Sequence, residues 1–271
     1  MLEATLRAKR KEQEILLMTH IVIGYPSFDD SLRVVESMVE AGVDIMELQI
    51  PFSEPIADGP VILHANQRSL EAGSTVDRCF EFGEAVCRRF DIPFLLMTYY
   101  NILFKHGVDA FAQRMADAGL AGAIVPDLPP EEAGEYLIAM QEHDLAPVFI
   151  FSPNTSDARM REIAKVTRGL VYCVARKGVT GAATSFGEAL DAYLARCRAA
   201  TDLPLAVGFG VKDRSDVDHL RGRADLAVIG TQTIRVMEEQ GVEAVRPFIE
   251  GLRAPCASSS AAGVRVRLPP A

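Results

Sequence analysis

The chain has 271 residues, of which 49% are hydrophobic and 24% charged, which describes a soluble globular protein with enough apolar content for one large α/β domain. A formal net charge of −9, with no basic cluster against it, excludes nucleic acid and anionic membrane as main partners. No apolar run reaches bilayer length, the N-terminus lacks the apolar core of a signal peptide, and the five cysteines and five histidines show neither pairing nor ligand spacing, so we expect a cytoplasmic protein without disulfide or metal.

In chain order, residues 2–14 read as an amphipathic helix, and residues 15–23 as a buried strand ended by Gly24-Tyr25-Pro26. Leu32, Val35 and Val39 keep helical spacing up to Gly42, a C-terminal stop, and a second strand runs from Val43 to Ile50. The unit then recurs, with apolar runs at 94–97, 120–125, 146–151, 170–174, 203–209 and 226–229 separated by helix-spaced segments. Helix-to-strand junctions carry Gly42, Gly119, Gly169 and Gly222. Eight such units fit a single closed (β/α)8 TIM barrel over residues 1–253 with an extra N-terminal helix; an open doubly wound sheet is the alternative, weakened because no Gly-x-Gly-x-x-Gly follows the first strand. Residues 254–271 have no apolar period and read as a disordered tail.

The second strand carries an acid, Glu47, where a buried charge is costly, so its pKa should rise. A loop stiffened by Pro51, Pro55 and Pro60 follows and holds Asp58 beside Gly59. One desolvated carboxylate and one in a wetter loop suit paired acid–base work, although an acid at a strand end also suits backbone hydrogen bonding and Asp-Gly-Pro is a turn sequence. In a barrel both lie on the rim at the strand C-termini, with Tyr99-Tyr100-Asn101, Asp127, Tyr172 and three glycine loops, Gly178–Gly181, Gly208–Gly210 and Gly230-Thr231. Bare N–H groups in such loops hold phosphate despite the negative net charge, with Arg176 and Lys177 adding charge nearby. Asp127 reads equally as a helix or turn cap and as a substrate contact, and His20 reads as a packed polar residue with no evident partner.

The motifs Glu-Leu-x-Ile-Pro-Phe-Ser-x-Pro-x-Ala-Asp-Gly-Pro at 47–60, Leu-Met-Thr-Tyr-Tyr-Asn at 96–101, Pro-Asp-Leu-Pro-Pro-Glu-Glu at 126–132, Arg-x-Gly-Val-Thr-Gly at 176–181 and Val-Gly-Phe-Gly at 207–210 resemble, in order and spacing, the tryptophan synthase alpha subunit family. The resemblance covers residues 5–253. It implies a (β/α)8 barrel that cleaves indole-3-glycerol phosphate to indole and glyceraldehyde 3-phosphate without a cofactor, and a beta-subunit partner in an alpha2beta2-type complex. By position, Glu47 matches the family's acid/base and Asp58 the carboxylate that meets the indole N–H. Gly181, Gly210, Gly230 and Thr231 match its phosphate positions, Tyr172 a pocket tyrosine and Thr180 a mobile-loop residue. Departures are Gln49 for a usual glycine, Glu54 for a usual aspartate, Thr19-His20 for a Pro-aromatic pair, Lys177 for a small residue and Thr231 for serine. A standalone lyase releasing free indole, or a non-catalytic regulatory partner of a beta-type enzyme, are the competing functional readings; the paired acids argue against the latter.

Overall fold

The structure, a computed structural model, describes residues 1–174, 187–208 and 210–253. Nine strands, β1 (Leu16–Val22), β2 (Ile45–Gln49), β3 (Phe94–Met97), β4 (Gly122–Ile124), β5 (Ala146–Val148), β6 (Ile150–Phe151), β7 (Val171–Val174), β8 (Leu205–Gly208) and β9 (Leu226–Ile229), pair in the order β5-β4-β3-β2-β1-β9-β8-β7-β6. Every pairing is parallel. The two ends of that order are consecutive in the chain, parted only by Phe149, so β5 and β6 are the halves of one barrel strand and the sheet closes. The expected count of eight thus becomes nine by an interruption. Pro147 brings no N–H to the ladder, whereas the Phe149 carbonyl still accepts from Tyr172 N at 3.0 Å.

Side chains alternate across this wall, except at the end of β1 where Ile21 and Val22 both join the outer cluster. Leu16, Met18, Ile45, Leu95, Val148 and Leu226 fill the barrel interior, while Leu17, Met46, Leu48, Leu96 and Val171 face the surrounding helices. Glu47 and Gln49 share the parity of Ile45, and His20 that of Met18, so all three project inward at the strand C-terminal end.

The other end is sealed. Helix α1 (Leu2–Arg10) lays Leu2 and Leu6 into the interior cluster, Leu6 being fully buried. This helix is shorter than the expected 2–14. Its last turn carries Arg7, Lys9 and Arg10, and Arg10 Nη1 donates to Gln13 O at 2.5 Å as the chain turns into β1. Asp44, 2% exposed, accepts hydrogen bonds from Leu17 N (2.9 Å), Lys9 Nζ (3.3 Å) and Arg253 Nη2 (2.9 Å). The helices that follow in chain order are α2 (Phe28–Glu40), α3 (Pro60–Glu71), α4 (Val76–Arg89), α5 (Tyr100–His106), α6 (Val108–Asp117), α7 (Gly134–Glu142), α8 (Asp157–Val166), α9 (Glu188–Ala200), α10 (Arg214–Leu220), α11 (Thr231–Gln240) and α12 (Val245–Leu252), and Arg253 follows the last of these described helices.

Candidate active site

At the open end, an apolar cleft is walled by Ile62, Met97, Ile124, Ile150 and Val228, and both carboxylates enter it. Glu47 is 5% exposed, and its Oε2 has no hydrogen-bond partner among the described residues. Burial, reinforced by the neighbouring charge of Asp58, pushes its pKa up to about 8. A neutral carboxylic acid is therefore the resting form near pH 7.

Asp58 is held differently. It closes the loop before α3 (Pro60–Glu71), which starts with Pro60 at its first position and Gly59 as N-cap. Its Oδ2 accepts from Gln49 Nε2 at 2.6 Å, Asn66 Nδ2 at 3.4 Å and Tyr99 Oη at 3.4 Å. Asn66 also accepts from Phe52 N at 2.9 Å, and Tyr99 Oη from Ala57 N at 3.2 Å, so two buried side chains brace both the carboxylate and its loop. Burial raises the Asp58 pKa to about 6, and the three donors hold it from rising further. Two carboxylates in one cleft are thus set apart by their surroundings, one neutral and one ionised at pH 7.

Tyr172 on β7 is buried against the same cleft, and burial first, then the nearby carboxylates, keeps its phenol protonated. Gly208 makes room for it, since a Cβ there would stand 2.4 Å from the Tyr172 oxygen. At the far end Gly210, Gly230 and Thr231 line the cleft together. Gly230 is the N-cap of α11 (Thr231–Gln240), so the helix's first N–H groups and positive dipole end lie at the cleft lined by Gly230 and Thr231. Thr180 and Gly181 lie outside the described residues, as do Arg176 and Lys177. Lys212 and Arg235 line the cleft and were not singled out from the sequence; no motif marks them, because each lies on a segment of ordinary mixed charge.

Two ambiguous residues resolve. The carboxylate of Asp127 accepts from Tyr100 N at 2.9 and 3.1 Å, capping α5 (Tyr100–His106) of the preceding unit, so the capping role holds. His20, expected to lack a partner, has one: its Nε2 lies 2.7 Å from Gln49 Oε1. Strand neighbours across β1 and β2 are invisible to local pattern, which is why this pair was missed.

Fold and site together define a (β/α)8 barrel whose open end brings two unlike carboxylates and a helix N-terminus to one apolar cleft, the arrangement of a barrel enzyme. A family model described as tryptophan synthase alpha chain matches residues 6–253. Curated tryptophan synthase alpha chains from Syntrophotalea carbinolica and Desulforapulum autotrophicum are each 64% identical, covering 93% of this chain and 100% of theirs. A solved Mycobacterium tuberculosis tryptophan synthase chain superposes with a TM-score of 0.86 at 32% identity, covering 93% of this chain and 96% of that one. The chain belongs to the tryptophan synthase alpha chain family. It is a carbon–carbon lyase of tryptophan biosynthesis that cleaves indole-3-glycerol phosphate.

Proposed function

We propose that Glu47 and Asp58 carry the cleavage and that the Gly210, Gly230 and Thr231 end, together with Gly181, holds the substrate phosphate. The observation that carries this reading is the contrast between an unpartnered, buried Glu47 and an Asp58 fixed by three donors in the same cleft. Protonated Glu47 delivers its proton to indole C3, and the positive charge that spreads to the ring nitrogen is met by the Asp58 carboxylate accepting the N–H. Glu47, now a carboxylate, removes the proton of the chain hydroxyl on the carbon attached to the ring. The carbon–carbon bond breaks with its electron pair returning to the ring, leaving indole, glyceraldehyde 3-phosphate and a reprotonated Glu47. The apolar walls suit a flat aromatic ring.

The two pKa values set a pH dependence. Below about 6 Asp58 takes up a proton and loses the charge that supports the ring cation; above about 8 Glu47 loses the proton it must donate. His20, pushed by burial down to about 4, stays neutral across this range, and Tyr99 and Tyr172 stay protonated. Indole release from indole-3-glycerol phosphate, followed as kcat/KM against pH, is expected to be bell-shaped with limbs near these values. A profile flat from pH 5 to 9 would refute the assignment of roles.

The same loop offers a partner surface. Glu54 is exposed, Ile56 is 71% exposed, and Phe104, in the adjoining α5 segment, is 68% exposed, which is apolar area of the kind an interface covers. A beta subunit is proposed to bind here and to raise lyase activity by favouring a loop arrangement in which Asp58 is engaged and Thr180 approaches it. A solved relative from Pyrococcus furiosus, with a TM-score of 0.81 at 30% identity, is described as a tryptophan synthase complex. Titrating the cognate beta subunit is expected to raise indole release at least tenfold, which needs about 1.4 kcal/mol of differential affinity, and Glu54→Ala is expected to abolish the rise. No complex and no change in rate would favour the standalone lyase.

A further inference from the structure

The His20–Gln49 pair has a consequence for the substrate. An ionised carboxylate only accepts hydrogen bonds, so the Gln49 group 2.6 Å from Asp58 Oδ2 is its NH2, and its oxygen faces His20. That oxygen in turn only accepts, so His20 Nε2 carries the hydrogen in their 2.7 Å contact. His20 is 5% exposed and burial keeps its ring neutral, which leaves Nδ1 with a bare lone pair. This Nδ1 has no partner among the described residues although it is buried, and an unmet buried acceptor is costly. His20 lines the cleft, and its Nδ1 lies 3.5 Å from where a Cβ on Gly230 would stand. The acceptor therefore sits on the cleft wall between Asp58 and the Gly230-Thr231 end.

We propose that His20 Nδ1 accepts a hydrogen bond from the substrate's second chain hydroxyl, the one next to the phosphate-bearing carbon, making His20 a specificity residue whose tautomer is set by the Gln49–Asp58 relay. This rests on the site reading above. Of the three donors on the substrate's ring and chain, the ring N–H goes to Asp58 and the ring-side hydroxyl to Glu47. The remaining hydroxyl lies nearest the phosphate, as Nδ1 lies beside Gly230. No proton moves at His20; it orients the chain so that the scissile bond faces Glu47. A site built to bond a hydroxyl discriminates against a ligand that lacks one.

The test is His20→Gln, whose side-chain amide reaches Gln49 as Nε2 does but places no acceptor at the Nδ1 position. Expected is an approximately tenfold fall in kcat/KM for indole-3-glycerol phosphate, with unchanged inhibition by an indole-alkyl phosphate that carries ring and phosphate but no hydroxyls. Equal loss for both ligands marks a merely structural role and overturns the proposal; so does no loss for either. Nitrogen NMR of the full-length wild type, ¹⁵N-labelled at histidine, needs no variant. The His20 Nδ1 resonance should be that of a bare ring nitrogen and should shift with glycerol 3-phosphate but not with the hydroxyl-free phosphate; a protonated Nδ1, or equal shifts, overturns it. Wild-type enzyme that releases no indole from its substrate would instead refute the underlying site reading, independently of these ratios.

Discussion

Glu47→Gln is expected to remove turnover by at least ~10²-fold while making the protein more stable at neutral pH. The amide is nearly isosteric but has no proton to exchange with indole C3, so the loss should appear in kcat with little change in KM for indole-3-glycerol phosphate. The stability gain follows from linkage. Glu47 titrates at about 8 in the folded chain against an ordinary value of 4.5, so the folded form holds a proton that the unfolded chain releases. Its contribution is fully present below about 4.5 and is lost as pH rises to about 8. The span corresponds to on the order of 4 kcal/mol, an upper figure for a buried group. Glu47→Gln does not titrate, so its advantage over wild type should be small at pH 4.5 and largest at pH 8. Urea unfolding at the two pH values, beside single-turnover indole release, checks both halves. A variant that keeps near-normal turnover, or gains no stability between those pH values, contradicts the assigned role.

Asp44→Ala should produce the opposite phenotype, a loss of about 3–5 kcal/mol with chemistry intact. The carboxylate lies at the sealed end of the barrel, where its removal strands the Arg253 guanidinium, the Lys9 ammonium and the Leu17 N–H together. Removing one member of such a set costs more than the set contributes, because the Leu17 N–H stays buried and the two cations, 29% and 28% exposed, regain only part of their hydration. Thermal unfolding should fall by roughly 10 °C for a domain of this size, while kcat measured well below that transition stays within about twofold. A shift under about 2 °C would mean that solvent takes over the stranded groups.

The strands were legible because parallel barrel strands are apolar on both faces and bounded by glycine, and each predicted run overlaps an observed one. Glu47 and Asp58 were legible for the inverse reason: an acid inside such a run, and a second in a proline-stiffened loop, violate the pattern around them. What stayed hidden depends on contact across strands or layers. Asn66 looks like any polar residue of α3 until the fold places it under Asp58, and the break at Phe149 is a matter of hydrogen-bond register rather than composition. His20 and Gln49 were noted one by one as departures; only the parallel register of β1 and β2, with His20 opposite Glu47, makes them a pair.

One further consequence concerns how the barrel opens. Lys9 and Arg253 stand 244 positions apart at the two ends of the described chain, yet both hold the same Asp44. Helices at chain termini ordinarily fray on their own. Here detaching either helix removes one of the partners that keep the other's counter-ion satisfied, so the two act as one clasp, and local opening spreads from the first helix to the last described one without passing through the catalytic pole.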